Sequence, residues 1–178
     1  MAGGGDALSG LACGVLTCST TRSRAEDRSG DVLAAGIAAA GGVVVRRAVT
    51  PDDRVRIAQV LRTWADCGAV DIVLTTGGTG LGPLDVTPEA TADVATRLVP
   101  GLAELLRARG LAQTPFAALS RGLAATRGQT LIVNLPGSPA AAGAGLEALL
   151  PLLPHAVAIL RGGGHAPEVP SAPPGGGA

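Results

Sequence analysis

Aromatic residues are almost missing: Phe116 and Trp64 supply the entire 1% aromatic content of this 178-residue chain, and there is no tyrosine. The core must therefore be built from Ala, Val, Leu and Ile, and any nucleic-acid reading that needs bases stacked on rings loses its platform. Net charge is missing as well. Fourteen basic residues balance fourteen acidic ones, which removes the electrostatic footprint of a nucleic-acid binder and leaves a small, locally held anion as the expected guest. Cysteine is scarce. Cys13, Cys18 and Cys67 form no C-x-x-C pair, and an odd count without a recognisable signal peptide points to a reducing compartment, so the expected location is cytoplasmic. Neither cysteines nor histidines show metal-ligand spacing; His155 is expected in packing and His165 in solvent. Long apolar runs are absent too. The most apolar stretch, residues 149–160, contains Pro151, Pro154 and His155 and falls short of the roughly 20 apolar residues of a membrane span, so it reads as a packed helix.

Hydrophobic residues nevertheless make up 47% of the chain, enough for one domain with a full core. Residues 1–10 are Gly-rich and read as a flexible tail, residues 11–161 as the domain, and residues 162–178, which are Gly, Pro, Ala and Ser in the main, as a disordered tail. Within the domain, short apolar runs at 13–18, 43–49, 70–74 and 129–134 read as strands, and Ala- and Leu-rich segments between them as helices. Residues 89–98 and 100–109 read as helices separated by Pro100-Gly101, and residues 114–122 carry no clear period. Strand, helix and strand alternate from residue 12 to 76, the pattern of right-handed crossovers and a mainly parallel sheet in an α/β fold.

In such sheets ligands bind in the loops that follow the carboxyl ends of strands. The outstanding loop is residues 75–90, where Val70-Asp71-Ile72-Val73-Leu74 runs into Thr75-Thr76-Gly77-Gly78-Thr79-Gly80 and then Asp85-Val86-Thr87-Pro88-Glu89. Glycines let backbone N–H groups approach an anion, and Thr87 with Pro88 and Glu89 reads as a helix start whose dipole favours a phosphate. The loop has no lysine, so it is not the G-x-x-x-x-G-K-[ST] phosphate loop, and Pro83 stands where a dinucleotide fingerprint needs its last glycine. Taken alone, the glycines serve a structural turn as well as a ligand loop. Asp85 adds a requirement. A carboxylate in a phosphate loop repels its own ligand unless a divalent cation lies between, and magnesium is the usual choice. Asp52, at the helix start Thr50-Pro51-Asp52-Asp53 after the neighbouring strand, is the second candidate acid, though helix capping is the plainer reading of it; Asp53 suits capping better. The polar loop 19–28 after the first strand is a second candidate contact region. Ser120 and Arg121 have no adjacent base, which argues against a nucleophilic serine, and Trp64 at helical spacing reads as core.

Taken together, the strand ending in TTGGTG, the following DVTPEA, and then TPFAALSR and NLPGSP resemble the molybdenum-cofactor-binding domain, in particular molybdopterin adenylyltransferases of the MogA, MoaB and gephyrin N-terminal type. The likeness spans about residues 11–161. It implies a three-layer α/β/α fold, a homotrimer, and Mg-ATP-dependent adenylylation of molybdopterin with release of pyrophosphate, upstream of a molybdate insertase and downstream of molybdopterin synthase. By motif, Asp52 and Asp85 match the two essential acids that position Mg-ATP, and Ser120 matches a serine implicated in pterin binding. Thr75, Gly77, Gly78, Thr79, Gly80 and Thr87, with Asn134, Pro136, Gly137 and Ser138, match the loops around nucleotide and pterin; Ser19, Asp27 and Ser29 correspond to the first loop. Two departures stand out. Leu84 replaces a basic residue often found before the DVTPEA acid, which leaves a phosphate contact to Arg121 or another arginine, and Thr20 replaces an acid in a shortened first loop.

Overall fold

A computed structural model describes residues 6–21 and 23–163. Its centre is a six-stranded sheet in the order β2-β1-β3-β6-β5-β4, formed by β1 (Ala12–Cys18), β2 (Val43–Thr50), β3 (Ile72–Thr76), β4 (Arg97–Leu98), β5 (Ala124–Arg127) and β6 (Thr130–Leu135). The four strands β2, β1, β3 and β6 are parallel; β5 and β4 turn back as an antiparallel arm at one edge. Six helices cover the sheet: α1 (Arg28–Ala39), α2 (Arg54–Asp66), α3 (Thr87–Val94), α4 (Pro100–Leu111), α5 (Pro139–Leu149) and α6 (Leu153–Leu160).

The central strands are apolar over most of their length, as suits a sheet covered on both faces, and turn polar at Thr75, Thr76 and Asn134 toward their carboxyl ends. Val15, Ile72, Leu74, Leu131 and Val133 point toward Leu33 and Ile37 of α1, Leu146 of α5 and Val157 of α6. Their neighbours Leu16, Val73 and Ile132 point the other way, into a core with Ile57, Leu61 and Trp64 of α2 and Val94 of α3. The result is the expected three-layer α/β/α sandwich, with a core that is aliphatic on one face and holds a single indole on the other.

Several details correct the sequence reading. The folded body begins before residue 11: Leu8 is fully buried in the α1 side of the core and its N–H donates to the Ala40 carbonyl at 2.7 Å. Residues 1–5 and 164–178, including His165, lie outside the described residues. The helix expected over 89–98 stops at Val94, and Arg97–Leu98 becomes the edge strand β4. Strand β5 has no β-branched run to announce it. It is formed by pairing across the two-residue turn Gly128-Gln129, where Gly128 takes φ +55°, a hairpin signal that was present in the sequence. His155, expected in the packing, is exposed on α6.

Candidate active site

Register brings four strand ends together. Cys18 pairs with Thr50, Thr17 with Thr76, and Thr76 with Leu135, so the loops that follow β1, β2, β3 and β6 all leave the sheet at one edge. They are tied to one another there. Thr76 Oγ1 donates to the Pro136 carbonyl at 2.7 Å, Gly77 N to Leu135 O at 3.2 Å, and Ser19 N to Thr50 O at 2.9 Å. The close approach depends on glycine. Gly77 has φ +97°, and a Cβ there would sit 2.4 Å from the Cys18 carbonyl oxygen; Gly78 has φ +62°, and its Cβ would sit 2.4 Å from Thr87 Oγ1. Gly137 rests with its own Cβ position 3.2 Å from Gly77 Cα.

The two candidate acids flank this loop. Asp52 Oδ1 is 3.3 Å from the Cβ position of Gly78, and Asp85 Oδ2 is 2.9 Å from that of Gly80. Each carboxylate has one oxygen tied down, that of Asp52 by the loop after β1 and that of Asp85 within its own turn. Thr20 N and Thr20 Oγ1 donate to Asp52 Oδ2 at 2.7 and 2.9 Å, while Gly82 N donates to Asp85 Oδ2 at 2.7 Å. Asp52 is not the helix cap: α2 begins at Arg54, and Asp53 caps it by accepting from Arg56 N at 2.8 Å. That releases Asp52 for other work. Among the described residues no group of three His, Cys, Asp or Glu side chains forms a self-sufficient metal cage. Two half-buried carboxylates beside an open backbone loop instead suit a magnesium ion that completes its shell with water and substrate phosphates.

Arg121 holds the loop in shape. Its Nε donates to Gly80 O at 2.7 Å, Nη2 to the Asp85 carbonyl, and Nη1 to Glu89, while its backbone N–H donates to Thr79 O at 2.9 Å. The guanidinium, expected from the sequence as one candidate for the phosphate contact missing at Leu84, is engaged here by these protein acceptors. Arg107 does the same for the next segment, donating to Ser120 O at 3.3 Å and Gly122 O at 2.9 Å. Beside them lies a cavity of about 300 Å³ lined by Thr79, Ser120 and Ser138 together with Leu106, Phe116 and Leu119. Gly80, Asn134 and Pro136 also border it. A mainly apolar cavity next to the glycine loop is suited to a flat organic ring whose phosphate tail reaches that loop.

Several of the other expected contact residues are tied into the framework of the site: Asp27, Ser29 and Thr75 are fully buried, while Asn134 and Ser138, which border the cavity, are also held by structural hydrogen bonds. Asp27 is fully buried; it caps α1 through Gly30 N at 2.9 Å, accepts from Thr17 Oγ1 at 2.8 Å and pairs with Arg47 at 3.0 Å. Ser29 and Thr75 have no exposure. Asn134 donates to Thr75 Oγ1 at 3.0 Å and Thr91 Oγ1 at 2.9 Å, and its Oδ1 accepts from Leu123 N at 3.2 Å, so its amide locks β6 to the loop floor. Thr87 is the first residue of α3 and not its cap, which is Val86; its hydroxyl is buried beneath Gly78. Ser138 caps α5 by accepting from Ala141 N at 3.2 Å. Ser19 is half-buried at the rim. Burial pushes the Cys18 thiol up to about 12; a hydrogen bond with Thr87 opposes it, and the Asp52 charge adds a smaller upward push, so this thiol below the loop stays protonated and is no nucleophile. Sequence reasoning missed the parts played by Thr20, Gly82 and Arg107. For Gly82 a signal existed, since Gly82-Pro83-Leu84-Asp85 places Pro at the second position of a β-turn, closed by Asp85 N to Gly82 O at 3.0 Å.

Residues 13–155 match the family described as "Probable molybdopterin binding domain". The chain belongs to this family. Within the molybdopterin-binding family it is 49% identical to MoaB of Thermus thermophilus, with a TM-score of 0.79 over 85% of this chain and 97% of that one. Tungsten cofactor synthesizing MoaB of Pyrococcus furiosus has the same fold at 28% identity, TM-score 0.76, covering 85% of this chain and 97% of that one. In sequence it is 40% identical over 152 residues to a molybdenum cofactor biosynthesis bifunctional protein of Chlorobaculum tepidum, covering 85% of this chain and 48% of that protein. It is 41% identical over 114 residues to molybdopterin adenylyltransferase of Helicobacter pylori, covering 64% of this chain and 65% of that protein. The chain thus spans about half of the longer Chlorobaculum relative. Among the described residues no single helix is long and apolar enough to cross a membrane.

Proposed function

We propose that this domain is a molybdopterin adenylyltransferase, joining molybdopterin to AMP from ATP and releasing pyrophosphate. The observation that carries the reading is the placement of Asp52 and Asp85 on either side of Gly78-Thr79-Gly80, beside a cavity bordered by Ser120. Relatives named for the adenylyltransferase and for molybdenum cofactor biosynthesis support it.

The chemistry asks little of the protein beyond placement and charge. A terminal phosphate oxygen of molybdopterin attacks the α-phosphorus of ATP; the new O–P bond forms as the bond to the β-phosphate bridging oxygen breaks, and pyrophosphate leaves with that electron pair. The nucleophile is already ionised near neutral pH, so no general base is required. Magnesium, when bound, neutralises the phosphate oxygens. The N–H groups of the glycine loop hold phosphate without reorganising, Asp52 and Asp85 hold the cation, Arg121 keeps the loop in its working shape, and the cavity aligns the pterin. This reading also brings the homotrimer implied by the family resemblance, which sedimentation of the purified chain measures.

Mixing the protein with molybdopterin and Mg-ATP is expected to release pyrophosphate. No release above an Asp85→Ala control would overturn the reading, and tight pterin binding without any ATP dependence would select a binding module in its place.

A further inference from the structure

The acid Asp52 is oriented by a residue of another loop. Thr20 N donates to Asp52 Oδ2 at 2.7 Å, Thr20 Oγ1 donates to the same oxygen at 2.9 Å, and Asp52 N returns a bond to Thr20 Oγ1 at 3.2 Å. A hydroxyl has one proton and two lone pairs, and here it gives to the carboxylate and receives from the backbone of the same residue. Side chain and main chain of Asp52 are thereby fixed together. Because Asp53 caps α2, the helix does not orient Asp52, and Thr20 takes that part. With two donors on Oδ2, the oxygen left to present is Oδ1, the one that lies 3.3 Å from the Cβ position of Gly78.

We infer that Thr20 is a positioning residue that makes Asp52 a single-oxygen ligand of the nucleotide-bound cation. The inference rests on the proposed function and deepens it. Its chemical logic is that a threonine holds Asp52 by neutral hydrogen bonds and adds no third negative charge beside Asp52 and Asp85. It also couples the first loop to the metal site, because Thr20 lies in the chain leaving β1 and bonds Asp52 directly. Asp85 is served differently, by the backbone N–H of Gly82 within its own turn, so the two acids have separate supports and Thr20 acts on one of them.

The test uses the full chain with Mn²⁺ in place of magnesium and α,β-methylene-ATP as a nucleotide that is not cleaved, read by the paramagnetic signal of free Mn²⁺. Thr20→Val keeps the backbone donor and the side-chain size but removes the hydroxyl; it is expected to weaken Mn²⁺ binding in the ternary complex about tenfold, the usual loss when a ligand's supporting partner is removed. Thr20→Ser is expected to restore binding to within about twofold, and both variants should melt as the wild type does, since Thr20 is exposed. In steady state Thr20→Val should raise the Mg²⁺ concentration needed for half-maximal rate while the rate at saturating Mg²⁺ approaches that of wild type. Unchanged Mn²⁺ affinity in Thr20→Val, or an equal loss in Thr20→Ser, overturns the inference while leaving the proposed reaction standing. Wild-type Mn²⁺ binding that depends on Thr20, in a protein that releases no pyrophosphate, upholds it and overturns the reaction.

Discussion

Arg121 and Glu89, 32 positions apart, form an ion pair that locks the loop after β3 to the first turn of α3. The second guanidinium nitrogen lies 3.5 Å from Glu89 Oε2 as well, and the same side chain caps the carbonyls of Gly80 and Asp85. The side chains keep 35% and 36% of their exposure, so the ion pair itself contributes at most about 1 kcal/mol. The larger loss on removing Arg121 comes from two carbonyls left without their donor, about 1–3 kcal/mol. Arg121→Gln is therefore expected to lower the melting temperature more than Glu89→Gln does, and to cut turnover by disordering Asp85.

The same pair sets an acid limb. Burial pushes the Glu89 carboxyl up, but the hydrogen bond and charge of Arg121 outweigh it and hold the group below its ordinary value of 4.5. A depressed folded-state value means the contribution is present above about pH 4.5 and is lost as pH falls through the depressed value. Melting curves of wild type and Glu89→Gln taken from neutral pH downward should differ at pH 7 and converge in acid.

Glycine is needed at residue 77 for two reasons, a positive φ and a Cβ position 2.4 Å from the Cys18 carbonyl; at Gly128 only the φ of +55° applies, because nothing lies within 4 Å. Gly77→Ala is expected to cost about 3 kcal/mol or more, backbone strain plus overpacking, and Gly128→Ala about 1 kcal/mol. Thermal denaturation separates the two, as 1 kcal/mol shifts the midpoint by about 2–4 °C in a domain of this size.

The thiols should sort by burial. Cys13 and Cys18 are buried and pushed up to about 12, chiefly by desolvation, while Cys67 is exposed at the end of α2. A disulfide reagent at mild alkaline pH is expected to modify one thiol quickly in the native protein and all three in denaturant. A second fast thiol would mean that the edge of the sheet opens readily.

The parallel core was legible because its strands are continuous apolar runs, Ile72-Val73-Leu74 and Leu131-Ile132-Val133, separated by helices with glycine stops; Gly41 and Gly68 both take the positive φ expected after α1 and α2. The antiparallel arm was less so, with the turn glycine Gly128 its one local signal. Arg97–Leu98 and Ala124–Arg127 are short and owe their strand conformation to pairing with each other and with β6, a tertiary effect that local composition does not carry. In the site, Asp52, Asp85 and the glycines were readable from residue type and position. The hydrogen bonds of Asp27 and Arg121 are not legible in the sequence for a common reason: a charged residue beside a ligand loop looks the same there whether it faces the loop's open side or caps a helix and closes the loop. Thr20 was seen as a departure from the family pattern, and its bond to Asp52 crosses 32 positions, a relation that only the folded edge of the sheet creates.

The most direct measurement is transfer of α-phosphate-labelled AMP from Mg-ATP to molybdopterin, followed by mass identification of the adenylylated product. The account predicts label in the pterin product in equal amount to the pyrophosphate released, with Asp85→Asn reducing transfer at least about a hundredfold while pterin binding is retained. Wild-type protein that binds molybdopterin yet transfers no more label than Asp85→Asn would contradict it.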